Sequence, residues 1–348
     1  MMATELIPVS VLTGFLGSGK TTILSHMLRQ PEFSRTAVVI NEFGEVALDH
    51  ELIEKTEDSV IALTTGCLCC RVRSDLTKTL QDLLRRRDEG ACTRFNRIVI
   101  ETSGLADPAP ILHTLMTDTA LASRLVLGSV VATVDAVAGE VTLEREAISR
   151  KQVAVADRIV FSKLDLTGEV EDSLHNRLTS LNPRAPTSRA VYGRIESDNL
   201  FGVALHDPKA RVLDVNSWLA VAPEHDHSAH DAEIKSFTVV RVEPIQAVAL
   251  TLFLEALAEH CGADLLRLKG IVNVAESPQR PAVIHGVQHV FHAPAWLRHW
   301  PSDDRTSRMV LITRRIRREW VEVLLDAISA EVAEVSPGSR HRRARGSV

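Results

Sequence analysis

The run Gly14-Phe15-Leu16-Gly17-Ser18-Gly19-Lys20-Thr21 constrains this chain more than any other feature, because it fits the pattern G-x-x-x-x-G-K-[ST]. It follows an apolar run, Ile7 to Leu12, and precedes a stretch, Thr22 to Gln30, that can be helical. Strand, glycine-rich turn and helix in that order build a phosphate cradle. Backbone amides converge on the anion, the lysine adds a positive charge, and the threonine hydroxyl can ligate Mg²⁺. Gly14, Gly17, Ser18, Gly19, Lys20, Thr21 and Thr22 are therefore the candidate phosphate-contacting residues. The competing reading is a glycine-rich turn with no ligand; strand, lysine and threonine in register argue against it.

Further apolar runs recur at Ala37 to Ile40, Ile98 to Ile100, Val130 to Val134 and Ile159 to Phe161, separated by helix-length amphipathic stretches. Buried parallel strands with crossover helices give this pattern, so residues 1–205 are expected to form an α/β P-loop domain with a mostly parallel sheet. Residues 206–233, with Pro208, Pro223 and several histidines, are expected to be a linker. A smaller α+β domain is expected over 234–334. There Phe237 to Val242 and Met309 to Ile312 look like strands, and Leu250, Phe253, Leu254 and Leu257 share a helix face. Leu266, Leu268, Val272 and Val274 alternate with Arg267 and Lys269 as in a half-exposed strand, and Ile316, Trp320, Val323, Leu324 and Ile328 share a face of a last helix. Residues 335–348 form a basic tail without periodicity, expected to be disordered.

A nucleotide hydrolase also needs an acid near Mg²⁺ and a sensor for the γ-phosphate. Glu101 stands at the carboxyl end of the run Arg97 to Ile100, the edge on which the cradle of a parallel sheet lies. Gly104 can offer its N–H to the γ-phosphate, making Thr102 to Pro108 a candidate switch segment. Lys20, Thr21, Glu101 and Gly104 are the candidate catalytic set. The alternative for Glu101 is an ordinary solvent-facing acid. Ser162-Lys163-Leu164-Asp165 is similar to the Asn-Lys-x-Asp motif that reads guanine, with serine in the first place. A carboxylate at Asp165 accepts from guanine N1–H and the N2 amine, and adenine would leave it unpaired, which favours GTP over ATP. The alternative is a helix-capping aspartate before a helix beginning near Thr167.

The chain has 40 basic and 45 acidic side chains, for a net charge of −5, without the basic excess of a dedicated nucleic-acid or anionic-membrane binder. The first residues have no basic leader, and no stretch approaches the ~18 uncharged apolar residues of a membrane helix, so a cytoplasmic location is expected. Of five cysteines, Cys67, Cys69 and Cys70 crowd into four positions, which suits metal or redox chemistry better than a disulfide framework. Three thiolates with an open fourth position favour Zn²⁺ or Cu⁺, with Co²⁺ and Ni²⁺ possible. A strained disulfide between Cys69 and Cys70 is the competing reading. Cys92 and Cys261 stand alone and are expected in the core. Glu45, in Asn41-Glu42-Phe43-Gly44-Glu45, either lends an oxygen ligand or is a surface acid. His225, His227 and His230 either collect a transition metal weakly or belong to a solvated connection. His285 and His289, placed on one strand, would stand too far apart to chelate one ion. Arg314, Arg315, Arg317 and Arg318 are either a solvated face or a docking patch for an acidic client. His113 and Asp118 are near enough in sequence to Glu101 to support a metal from outside its ligand shell.

Taken in order, GFLGSGKTT, NEFGE, GCLCC, ETSGLADP and SKLD, with LLRLKGIVNV and HGVQHVF after them, resemble the CobW-like family of P-loop GTPases. The resemblance spans nearly the whole chain. It implies a GTPase domain joined to a C-terminal α+β domain, with GTP and Mg²⁺ at the cradle. It further implies a zinc ion at the cysteine motif, passed to a client apo-metalloenzyme during the GTP cycle; members supply zinc, cobalt or nickel. Monomer and homodimer are both compatible with it. The alternatives are a metal buffer or sensor that binds nucleotide without delivery, and an ATP-dependent small-molecule kinase.

Overall fold

A computed structural model of the chain describes residues 6–42, 60–64, 71–195, 200–201, 233–291 and 294–335. It divides into two compact units, Met1–His227 and Ser228–Val348. Residues 206–232 and 336–348, read above as linker and tail, lie outside the described residues.

The first unit is built on an eight-stranded sheet. Its strands are β1 (Ile7–Gly14), β2 (Thr36–Glu42), β3 (Val60–Thr64), β4 (Arg97–Thr102), β5 (Leu125–Asp135), β6 (Arg158–Ser162), β7 (Thr187–Val191) and β8 (Arg194–Ile195). Their order is β3-β2-β4-β1-β5-β6-β7-β8, all pairs parallel except the closing β7–β8 hairpin. The helices are α1 (Lys20–Leu28), α2 (Arg71–Asp88), α3 (Ala109–Thr117), α4 (Thr119–Ala122), α5 (Gly139–Arg145), α6 (Ala147–Val155), α7 (Leu164–Thr167) and α8 (Asp172–Leu181).

The central strands read as unbroken apolar runs because helices cover both faces of a parallel sheet. Val9, Val11, Leu12, Ile98, Val99, Ile100, Val130 and Val131 are accordingly fully buried. In α2 the leucines at 76, 80, 83 and 84 recur at helical spacing and are all buried, while Arg85 to Arg87 lie near its C-terminus, where cations complement the helix dipole.

The second unit is an antiparallel sheet of β9 (Ile234–Arg241), β10 (Leu265–Val272), β11 (Ala282–Val287), β12 (Val290–Phe291), β13 (Ala295–Trp296) and β14 (Ser307–Arg314). Its order is β12-β11-β10-β14-β9, with β13 pairing β11. Helices Ala247–Cys261 and Arg318–Val335 join one apolar core, where Phe253, Leu257, Val321 and Leu325 meet Leu268, Met309 and Leu311.

Several details differ from the sequence reading. The last helix buries Val321 and Leu325, while Trp320 and Val323 are exposed. Ile316, Leu324 and Ile328 pack against the core as expected, so the inward face runs through 321, 324, 325, 328 and 332, and only Trp320 and Val323 of the expected set lie outside it. β10 is not half-exposed: Arg267 is buried along with its apolar neighbours, and only Lys269 is partly exposed. His285 and His289 do not share a strand, since β11 ends at Val287 and Gln288, at φ 53°, turns the chain into β12. The helix near Thr167 begins at Leu164: Lys163 adopts a left-handed φ of 59°, Gly168 (φ 77°) closes one turn, and α8 follows. The arginine run is partly ion-paired, Arg314 to Asp264, Arg315 to Glu233 and Arg318 to Glu322.

Phe253 is fully buried at the centre of the second core. Phe253→Ala is predicted to cost about 3–5 kcal/mol, and Val323→Ala, on the exposed side, under about 0.5 kcal/mol. Urea denaturation of the full chain checks this; equal losses would contradict the assignment of faces.

Candidate functional site

The cradle lies where β1 gives way to α1 at the carboxyl edge of the sheet. Gly14 has φ +143°, and a Cβ there would stand 2.7 Å from Ser18 Oγ with the Thr133 oxygens closer still. The crowding follows from register, since Gly14 pairs with Thr133 of β5. Ser18, buried, meets Thr133 Oγ1 through its hydroxyl at 2.6 Å, so this side chain braces the loop against β5. Gly19 (φ 85°) and Gly17 (φ 69°) take the left-handed turns that bring the chain into α1, where Gly19 stands at the N-cap. Lys20 Nζ donates to the carbonyls of Gly14 and Phe15 at 3.0 and 3.2 Å, across the mouth of its own loop. Thr22 is exposed on the first turn of α1.

Glu101 is buried at the end of β4, with 2% exposure, so it is not a solvent-facing acid. Thr21 Oγ1 donates to Glu101 Oε1 at 2.6 Å. A hydroxyl and a carboxylate this close are hard oxygen donors of the kind Mg²⁺ takes, and the pair fits that ion. Beneath them Thr102 Oγ1 donates to Thr13 Oγ1 at 2.9 Å, joining β4 to β1. Gly104 follows in a tight turn against the cradle: a Cβ on it would lie 2.6 Å from Leu16 N. Leu16 and Leu105 beside it are more than half exposed.

On the other flank, Ser162 Oγ donates to the Ser18 carbonyl at 2.7 Å. Lys163 Nζ pairs with Asp135 Oδ2 at 2.7 Å. Asp165 lies in the first turn of α7, so it does not cap the helix from outside, and its Oδ1 accepts from Tyr192 N–H at 2.9 Å. The Tyr192-Gly193 turn presses on α1, with a Cβ at Gly193 falling 2.5 Å from His26 Cδ2. A cavity of about 410 Å³ lies here, lined by His26, Val191, Tyr192, Arg194 and Ile195. Burial first, then Arg29 and Arg194, hold His26 below the usual histidine range.

Comparison with known proteins places this geometry in a family. A family model described as CobW/HypB/UreG, nucleotide-binding domain, matches residues 8–189, and one described as Cobalamin synthesis protein cobW C-terminal domain matches 234–329. The chain belongs to the CobW/HypB/UreG family. It is 36% identical over 313 residues to zinc chaperone YjiA of Escherichia coli K12, covering 90% of this chain and 96% of that one. It is 30% identical over 307 residues to zinc chaperone CobW of a Sinorhizobium species, covering 79% and 83%. The solved structure of Zn(II)-bound YjiA GTPase from E. coli matches with a TM-score of 0.72 at 31% identity, over 93% of this chain and 99% of that one.

Within this CobW-type fold, β3 ends at Thr64, paired with Glu42 at the end of β2, on the same carboxyl edge as the cradle. Residues 65–70 connect that end to α2, which starts at Arg71. Cys67, Cys69, Cys70, Glu45, His225, His227 and His230 themselves lie outside the described residues. Among the described residues no group of three or more His, Cys, Asp or Glu could hold a metal ion. Nor is any helix among them long and apolar enough to cross a membrane. Cys261 is buried in the second core, its thiol pushed up to about 11 by burial and then by Asp264, whereas Cys92 is only half-buried. Asp118 accepts from Ala120 and Leu121 N–H at the start of α4 and from Thr77 Oγ1 of α2, and His113 lies at 3.3 Å from Thr117 Oγ1, so Asp118 serves as a helix cap and a tie between helices.

Sequence reasoning missed Thr133, the bracing role of Ser162 and Gln152 of α6, whose Nε2 donates to the carbonyls of Gly104 and Ala106. A hydroxyl inside an apolar strand, as at Thr133, was the available signal.

Gly14→Ala is predicted to weaken binding of a fluorescent guanine nucleotide by roughly 10–100-fold, the equivalent of the ~1–3 kcal/mol that overpacking costs. Parental affinity in that variant would contradict the geometry of the cradle.

Proposed function

We propose that this chain hydrolyses GTP and uses the cycle to control its hold on a transition metal, most readily zinc, which it passes to a client apo-metalloenzyme. The observation that carries the reading is the convergence at one sheet edge of the Thr21–Glu101 pair, Gly104 against the cradle, and the strand end from which the cysteine motif departs.

Lys20 and the amides of residues 17–20 stabilise charge developing on the phosphates. When bound beside Thr21 and Glu101, Mg²⁺ would supply further neutralising charge to the phosphate oxygens. Water attacks by being positioned, with no covalent intermediate on the protein. Asp165 reads guanine; Tyr192 N–H, by occupying Oδ1, orients the carboxylate. Ser162 serves here as a tie to the cradle through Ser18, leaving base selection to Asp165.

Cys67, Cys69 and Cys70 hold the metal, with the fourth position open to Glu45, to a histidine of the 225–230 tract or to the client. Thiolates favour Zn²⁺ over Mg²⁺; Co²⁺ and Ni²⁺ compete for the same donors. The described elements link the phosphate side to the helix that follows the cysteine motif. Gly104 and its turn lead directly into α3, α3 packs against α2, and Thr77 Oγ1 of α2 donates to Asp118 Oδ2 at the α3–α4 junction at 3.2 Å. The helix so held begins one residue after Cys70. A cytoplasmic setting, where thiols stay reduced, suits such a site.

Replacing Cys67, Cys69 and Cys70 together by serine is predicted to abolish stoichiometric zinc binding while leaving GTP affinity within about twofold, because serine keeps the size but loses the soft ligand. Metal analysis after dialysis and nucleotide titration check both halves. Zinc retained at one ion per chain would place the metal elsewhere.

A further inference from the structure

The switch segment is held from two sides, and only one of them is the cradle. On the far side lies α6. Gln152, 1% exposed, directs its Nε2 to the carbonyls of Gly104 and Ala106, both at 3.1 Å. One amide group thus spends both its protons on the two carbonyls that bracket Leu105. The neighbouring Lys151 Nζ pairs with Asp107 Oδ2 at 3.1 Å. The platform is itself fixed, since Asn182 Nδ2 donates to the carbonyls of Val153 and Ala156, both at 2.9 Å, at the C-terminal end of α6 beside Gln152.

Gln152 Oε1 is buried without a hydrogen-bond partner among the described residues. A buried acceptor left unpaired works against stability; an apolar side chain of similar size would remove that cost but would take the Nε2 donor from the Gly104 and Ala106 carbonyls. The hydrogen-bonding capacity of the glutamine is thus directed at the turn, to the backbone on either side of Leu105.

We propose that Gln152 is a positioning residue for γ-phosphate sensing: it holds Gly104 against the cradle, so that the turn need not be reordered when GTP binds. Lys151 assists through Asp107. The inference rests on Gly104 being the sensor, as assigned under the proposed function, and adds the element that sets its position. Pre-arrangement of this kind favours the triphosphate over the diphosphate and the transition state over the ground state.

The test compares the full-length parent with Gln152→Leu and Lys151→Met, the latter altering a partly exposed pair that the core does not need. Affinities for GTPγS and GDP, steady-state hydrolysis, and hydrogen exchange of the 103–108 peptide in each nucleotide state are measured. Gln152→Leu is expected to lose roughly tenfold in GTPγS affinity and in kcat, with GDP affinity within about twofold; Lys151→Met should move the same way by about threefold. Equal losses for both nucleotides, or none, in these variants would overturn the proposal. Should the parent's 103–108 peptide exchange identically with GTPγS and GDP, the sensing role of Gly104 fails and the proposal with it. Distinct exchange in the parent with unchanged GTPγS-to-GDP ratios in both variants would sink the role of Gln152 alone.

Discussion

A parallel sheet has one edge at which its strands all end, and this constraint organises the nucleotide-binding unit. β1 ends in the cradle, β4 in Glu101, β6 in the Ser162–Asp165 turn, and β2 and β3 in the segments carrying Glu45 and the three clustered cysteines. With strands about 4.8 Å apart, β3 lies roughly 14 Å along the edge from β1.

What keeps that edge in order is a set of buried hydroxyls. Thr13, Ser18, Thr102, Thr133 and Ser162 link β1, β4, β5 and β6 to the loop above them through bonds of 2.6 to 3.3 Å. Each is worth about 1 kcal/mol net, but a buried hydroxyl left unpaired costs more than a made bond contributes, so the network holds together or fails together. The glycine at 14 is the other half of the arrangement, because any side chain would occupy the space these oxygens use. The network ties the phosphate cradle down, while the turn at Gly104 lies between the cradle on one side and the side-chain bonds from α6 on the other.

Much of this was legible in the sequence. The five apolar runs became β1, β2, β4, β5 and β6 because a strand covered on both faces has no reason to alternate, and the cradle motif fixed the order of strand, turn and helix. Leu250, Phe253, Leu254 and Leu257 did share a buried face. The last helix was harder: Leu324 and Ile328 did pack on the core, but Val321 took the place expected of Trp320, because adjacent apolar residues offer two overlapping stripes and packing chose between them. The burial of Glu101 was hidden because it depends on Thr21, eighty positions away. Gln152 was invisible for the same reason, since nothing in its neighbours announces a backbone partner at Gly104. Asp165 was placed outside a helix that in fact begins before it, because a left-handed lysine at 163 carries no compositional signal.

The central claim is that the phosphate state of the nucleotide changes the grip on the metal. Competition for zinc between the full-length chain and a chromophoric chelator, run once with GTPγS and Mg²⁺ and once with GDP and Mg²⁺, measures this directly. The account predicts zinc affinities that differ by roughly tenfold or more between the two states, a coupling of about 1.4 kcal/mol. Indistinguishable affinities would contradict it.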